Sequence, residues 1–135
     1  MTLADFQQFI LQLEDVQQDD SYGYHMYFVG DEHLVPFVSI ATEDNDYDAV
    51  SNLNRGGLYR LNIGVSRKTY DSLFDTHDTE GVDFTVVDTV LPHPQYAKQN
   101  FICIISPSSN QQDATKAYIT EAHELAIARL NHKHD

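Results

Sequence analysis

The sequence predicts an α+β fold, in which helices at the N-terminus, in the middle and at the C-terminus cover a mainly antiparallel sheet of about five strands. The first observation behind this prediction is the order of elements, which runs helix, strands, helix, strands, helix. The second is size. A chain of 135 residues, of which 41% are hydrophobic, can form a core, so we expect a single domain over residues 1–135.

The N-terminal third contains one amphipathic helix and one hairpin. Thr2 is a favourable N-cap, and apolar residues then recur at intervals of three or four, which predicts a helix over residues 3–14. The next segment, QQDDSYG, is polar and is predicted to be a turn. The aromatic-rich residues 24–29 and the run that begins at Pro36 predict two strands paired as a hairpin.

The central strand is predicted at residues 58–64, LYRLNIG. Its apolar residues alternate and share one face, so Arg60 and Asn62 lie together on the opposite face, where they are available to bind something. The chain breaks after this strand, and Ser66 is predicted to cap a short helix.

The C-terminal half supplies the remaining strands and the longest helix. Residues 84–90, FTVVDTV, are predicted to be a strand or extended segment that ends at the rigid turn LPHPQY. Residues 101–106, FICIIS, form the most uniformly apolar run and are expected in a central strand. The alanine-rich residues 111–131 predict a closing helix that packs on the sheet.

From about residue 40 to residue 131 the chain resembles a small bacterial family of uncharacterised proteins. The resemblance rests on NRGGLYRLNIGVSRKTYDSLF, on DTVLPHP with QY after it, and on the closing helix. More distantly, the final strand, the polar turn and the EAHELAIARL helix are similar to the MmcQ/YjbR family. That resemblance implies a compact α+β domain with a double-wing sheet, of a kind first linked to DNA binding. The chain departs from that family at Phe101, where its members often have a tryptophan.

The charge of the chain excludes some partners. Its formal net charge is −13, from 21 acidic and 8 basic residues. This field repels phosphates and anionic lipids, so we expect neither direct nucleic-acid binding nor membrane association. No apolar run is long enough to span a membrane, and no signal peptide is visible. The single Cys103 is expected to be a small buried hydrophobe, and together these features favour the cytoplasm.

A candidate pocket is predicted on the polar face of the sheet. An arginine beside an asparagine can bind an anion or another small molecule, and residues from a neighbouring strand and from the LPHPQY turn can approach from one end. The alternative is a structural network in which Arg60 pairs with a carboxylate such as Asp88 or Asp48. The candidate ligand-binding residues are Tyr27, Arg60, Asn62, Asp88, His93 and Tyr96.

His93 lies between two prolines, which hold its imidazole on a stiff turn. Such a histidine can act as a general acid or base, although no serine or cysteine in a nucleophile context accompanies it. No metal site is predicted: His132 and His134 lie in a frayed tail, and Asp44, Asp46 and Asp48 lack the glycine and glutamate of a calcium-binding EF-hand loop. No cofactor is expected, because no glycine-rich phosphate loop is present.

Three functions remain open from the sequence. We favour a non-enzymatic domain that binds a small ligand or a protein through the polar sheet face. The second is a small hydrolase or isomerase in which His93 is the acid–base group and Arg60 holds an anionic substrate. The third is an acidic decoy that binds to a basic protein. This hypothesis rests on the net charge alone.

Overall fold

In the computed structural model, which describes residues 1–31 and 33–133, an antiparallel sheet of six strands carries helices on one of its faces. The spatial order is β1-β2-β3-β4-β6-β5, and every neighbouring pair is antiparallel. The α+β prediction is confirmed, with six strands in place of about five. The strands are β1 (Val16–Ser21), β2 (Tyr24–Val29), β3 (Val38–Ala41), β4 (Arg60–Gly64), β5 (Leu91–Pro92) and β6 (Phe101–Ile105).

The three predicted helices are present as α1 (Leu3–Leu11), α2 (Arg67–Leu73) and α3 (Gln112–Lys133). Thr2 caps α1 in a reciprocal capping box with Asp5, as its hydroxyl and sequence spacing allow. Ser66 caps α2 by accepting a hydrogen bond from the amide of Thr69. The helix α1 ends at Leu11 rather than at residue 14, because the chain turns there into β1.

The prediction of a turn over the polar segment QQDDSYG was wrong for most of its length, because residues 17–21 belong to the strand β1. It pairs with β2 over all six residues. Tyr22 and Gly23 join the two strands with positive φ angles of 54° and 82°, the conformation of a tight two-residue hairpin turn. Because β1 is an edge strand with largely exposed side chains, it needs no apolar face to be stable.

The prediction of a strand over residues 84–90 was wrong. This segment consists of turns and bends, and its Val86 and Val87 side chains are 40% and 43% exposed. Asp88 has a φ of 56°, which breaks an extended conformation. The sheet resumes only with the two residues of β5, at the beginning of the predicted LPHPQY turn.

The two faces of the sheet differ in what covers them. On one face α1 and α3 bury the apolar core, which includes Leu61 and Ile63 of β4. We call the opposite side the open face; there Ser39 of β3, Asn62 of β4 and Cys103 of β6 stand in one row across the sheet. Loop 42–57 covers part of the open face and leaves the rest accessible. Among the described residues, each helix is either too short or too polar to span a lipid bilayer.

Candidate functional site

Arg60 is fully buried on the open face, beneath loop 42–57. Its Nη1 lies 3.1 Å from Oδ1 of Asp48 and 2.9 Å from the Ser51 hydroxyl, and its Nη2 donates to Oδ2 of Asp48. Its Nε donates to Oδ1 of Asn62 at 2.8 Å. The guanidinium therefore forms the structural network that the sequence analysis gave as the alternative, with Asp48 as its carboxylate, and it lies outside the walls of the pocket described below.

The Arg60–Asp48 pair keeps both groups charged in a buried position. Burial alone would raise the pKa of the Asp48 carboxyl, but hydrogen bonds from Arg60 and from the Tyr24 hydroxyl outweigh it, so that pKa is lowered. Burial would likewise lower the pKa of Arg60, and Asp48 more than compensates. The two opposite charges therefore compensate each other within the network.

His93 is 4% exposed and is held by its own turn. Its Nδ1 accepts hydrogen bonds from the main-chain amides of Gln95 and Tyr96, each at 3.0 Å. An Nδ1 that accepts two hydrogen bonds carries no proton, so the neutral ring has its hydrogen on Nε2. Burial, with a smaller contribution from the nearby Arg60 charge, lowers the pKa of His93 to about 3. The imidazole is thus a neutral hydrogen-bond donor.

An accessible pocket of about 620 Å³ occupies the part of the open face that loop 42–57 leaves uncovered. Its floor consists of side chains from three adjacent strands: Met26, Ser39 and Asn62. Asn62 donates to the Ser39 hydroxyl at 3.1 Å, so its amide is held between that hydroxyl and Arg60. The rim consists of large apolar or aromatic residues that are half or more exposed, namely Tyr22, Leu34, Val35, Tyr47 and Tyr96.

Phe101 lines the pocket next to His93. It pairs with Gly64 across β4 and β6, and a Cβ added to Gly64 would lie 2.8 Å from the Phe101 ring. The ring can therefore lie over the strand only because residue 64 has no side chain. His93 and Tyr96 pack against Phe101 at ring-centroid distances of 6.1 and 6.2 Å. These contacts form an aromatic side of the pocket.

The structure brings three of the six predicted residues, Asn62, His93 and Tyr96, to this pocket, and Arg60 lies beside its floor, under loop 42–57. It places two elsewhere. Tyr27 is on the helix-covered face, fully buried in the core, where burial raises the pKa of its phenol. Asp88 lies at the other end of β6 from His93, where its carboxylate accepts a hydrogen bond from the amide of Ser108. The expected convergence was wrong for these two residues.

Sequence reasoning missed most of the rim. Tyr22 lies in the β1–β2 turn, at the end of the segment predicted to be a turn but not predicted to contact a ligand, and Leu34 and Val35 lie in the connection to β3. Tyr47 lies in loop 42–57, whose position is fixed by the Asp48–Arg60 pair rather than by any local pattern. The available signal was apolar side chains in segments that are otherwise polar, which marks candidate contact residues but does not place them in one pocket.

The described residues include no group of three His, Cys, Asp or Glu side chains that could hold a metal ion. His134 and Asp135 of the predicted tail lie outside the described residues. Cys103 is buried, and its Sγ lies 3.7 Å from the carbonyl oxygen of Pro92. Burial raises the pKa of this thiol to about 12, so it is a poor nucleophile in the folded chain.

A family model matches the whole chain. It describes a family of unknown function, DUF6194, and it matches residues 1–135. The predicted resemblance to an uncharacterised family is therefore confirmed, and it extends beyond residues 40–131. No curated protein and no solved structure matches the chain. The distant similarity to the MmcQ/YjbR family stays a prediction.

Proposed function

The chain belongs to the DUF6194 family, whose function is unknown, and we propose that it is a binding protein that takes a small molecule into the open-face pocket. The observation that carries this proposal is the composition of the pocket. A volume of about 620 Å³ falls in the range of small-molecule sites. Such sites combine apolar walls with a few buried polar groups that orient the ligand, and here Asn62 and His93 are buried in that way.

The rim supports the same conclusion. Most of its side chains expose far more apolar surface than a folded chain normally leaves in one place: Tyr22, Leu34 and Val35 are 83%, 78% and 70% exposed. Scattered exposed apolar residues need no explanation, but a group of them around one concave surface is typical of a binding site. A bound molecule would remove this surface from water.

We do not propose catalysis. A general base needs an imidazole nitrogen that can take up a proton near neutral pH, whereas Nδ1 of His93 is occupied by two amides and Nε2 already carries the hydrogen. The anion holder of the enzyme hypothesis, Arg60, is paired with Asp48 under a loop. The acidic decoy and the cytoplasmic location stay predictions from charge and from cysteine usage.

A second candidate ligand is an apolar segment of a protein partner. The exposed Leu34 and Val35 favour it, because aliphatic side chains on a rim suit the side chains of a docked peptide. The small-molecule proposal requires contact with the floor at Ser39 and Asn62. A peptide that covers only the rim would leave these two residues unperturbed.

The test is a titration of the ¹⁵N-labelled chain with a fragment library, followed by amide chemical shifts. We expect hits that perturb Ser39, Asn62 and Tyr96 together. Two exposed valines provide a matched pair of variants: Val35→Lys on the rim, and Val87→Lys outside the pocket. Val35→Lys should weaken the hits about tenfold or more, whereas Val87→Lys should not.

Both substitutions are at exposed sites, so the free energy of unfolding should change by no more than about 0.5 kcal/mol. A library without hits on the floor, or equal effects of the two variants, would contradict the proposal.

A further inference from the structure

We infer that the ligand of this pocket is an uncharged, planar molecule that presents a hydrogen-bond acceptor, such as an amide or ring carbonyl oxygen, to the Nε2–H of His93. This inference rests on the proposed function and names the chemical class of its ligand. It follows from three features of the pocket: the direction of its hydrogen bonds, its lack of charge and the shape of its aromatic side.

The first feature is a hydrogen-bond donor on a residue that lines the pocket, with no partner among the described residues. With Nδ1 facing the amides of Gln95 and Tyr96, Nε2–H is the polar atom of His93 that remains for a ligand. No described residue accepts a hydrogen bond from it, although the side chain is 96% buried and lines the pocket. The buried polar side-chain atoms that lack a partner in the described chain belong to Tyr27 and Ser108, so Nε2–H of His93 is open to the pocket, where an acceptor atom on a ligand can take its hydrogen bond.

The floor of the pocket likewise offers hydrogen-bond donors. Oδ1 of Asn62 already accepts a hydrogen bond from Arg60, and the second hydrogen on Nδ2 remains available to donate to a ligand. The Ser39 hydroxyl accepts from Asn62, which leaves its own hydrogen free to donate. Donors from His93, Asn62 and Ser39 therefore favour a ligand acceptor over a ligand donor.

The second feature is charge. Among the described residues that line the pocket there is no aspartate, glutamate, lysine or arginine, and Arg60 beside its floor is paired with Asp48. A carboxylate or phosphate that entered would lose its hydration without gaining a cation, and would meet a chain of net charge −13. An ammonium group would find no carboxylate among the described residues of the walls. The pocket thus selects against both signs of charge.

The third feature is the aromatic side formed by Phe101 and Tyr96 with His93, whose rings lie 5.1 to 6.2 Å apart. The rings are tilted by 40° to 78° to one another and all three residues line the pocket, so they offer aromatic surface against which a planar group can pack. Met26 of the floor adds a flexible side chain that adapts to the outline of the ligand.

The experiment compares four single-ring probes of similar size: benzamide, benzoate, benzylammonium and toluene. Each is titrated into the full ¹⁵N-labelled chain near neutral pH, with amide shifts of Ser39, Gln95 and Tyr96 as readout. We expect benzamide to bind about tenfold more tightly than toluene, as one added hydrogen bond to Nε2–H of His93 predicts, and more tightly than either ion. The imidazole ¹⁵N resonances should show a proton on Nε2 of His93 and should shift with benzamide.

Tighter binding of benzoate or benzylammonium, equal binding of toluene and benzamide, or a proton on Nδ1 of His93 would overturn the inference while the pocket remained a binding site. If neither the probes nor the fragment library reaches the floor, the proposed function fails and the inference fails with it. Ser39→Ala is the protein-side comparison, because it removes one floor donor without removing the His93 turn. It should weaken benzamide binding several-fold and leave toluene binding unchanged.

Discussion

The carboxylate of Asp48 and the guanidinium of Arg60 form a two-point ion pair that joins loop 42–57 to the central strand of the sheet. Both side chains are almost completely buried, at 4% and 0% exposure. Through Asn62 the same guanidinium fixes a polar group of the pocket floor. The position of Tyr47 on the rim and the orientation of Asn62 on the floor therefore depend on one interaction.

Asp48→Asn should destabilise the chain strongly. The substitution leaves the Arg60 charge buried without a counterion, which typically costs about 3–5 kcal/mol. Equilibrium unfolding in urea measures this loss. Asp71→Asn is the control, since it breaks an exposed pair with Arg67 at 3.6 Å and should cost no more than about 0.5 kcal/mol. Equal effects of the two substitutions would show that Arg60 gains little from Asp48.

Gly64→Ala should move the Phe101 ring. The new Cβ would lie 2.8 Å from a ring carbon, so the ring must shift or the strands must separate, at a cost of about 1–3 kcal/mol. Phe101→Leu alone should also destabilise the chain, because it removes aromatic contacts with His93 and Tyr96. The double variant should lose less free energy of unfolding than the sum of the two single-variant losses. A double-mutant cycle measured by urea unfolding tests this. Strict additivity would mean that the two positions do not interact.

The free energy of unfolding should decrease as the pH is lowered, because His93 is held neutral in the folded chain. The pKa of its ring is about 3 in the folded chain and 6.5 without burial, so between these values the unfolded chain binds one more proton. The stabilisation from this residue is fully present above pH 6.5 and is lost as the pH falls toward 3. Between pH 6 and 4, the free energy of unfolding of His93→Gln should fall less steeply than that of the unsubstituted chain, by about 1.4 kcal/mol per pH unit.

The comparison of slopes separates His93 from the carboxyl groups, which both chains share. His132→Gln removes an exposed imidazole and serves as the control for the loss of one histidine. If the curves of His93→Gln and the unsubstituted chain run parallel, the ring is not held neutral by the fold.

Cys103 should resist alkylation in the folded chain. Its thiol is buried and its pKa is raised to about 12, so at pH 8 very little thiolate forms and iodoacetamide reaches it only when the chain opens. Mass spectrometry gives a direct readout, because the sequence contains one cysteine. We expect complete labelling within minutes in urea and slow labelling without it. Fast labelling of the folded chain would contradict the buried position of β6.

Elements with local signals could be predicted from the sequence. Thr2 and Ser66 were recognised as helix caps because their hydroxyl oxygens can accept a hydrogen bond from a free amide of the first helical turn. The strand β4 was recognised from the strict alternation of its apolar and polar residues. The strand β1 and the segment 84–90 were mistaken for opposite reasons. A polar strand was stabilised by pairing with its neighbour, and a β-branched segment was left exposed in turns.

The candidate site was less predictable than the fold. The two-residue period of a strand placed Asn62 on the open face, and the prolines on either side of His93 indicated a rigid turn. Both residues were therefore predicted as site residues. Whether Arg60 pairs with Asp48 or Asp88 depends on how two loops fold over the sheet, which no spacing in the chain specifies. Tyr27 was misplaced because a six-residue aromatic strand has no polar alternation to show which face meets the helices.

The two borders of the sheet bear on how the molecule behaves when concentrated. At one border Asp19 and Asp20 stand on β1, and at the other Pro92, which has no amide hydrogen, ends a strand of two residues. A second copy that paired with β1 at neutral pH would bring like-charged carboxylates together. One that paired with β5 would find few backbone hydrogen-bond donors. Acidic solutions neutralise the carboxylates and remove this protection, so we expect fibrils to grow from β1 in acid and not near pH 7.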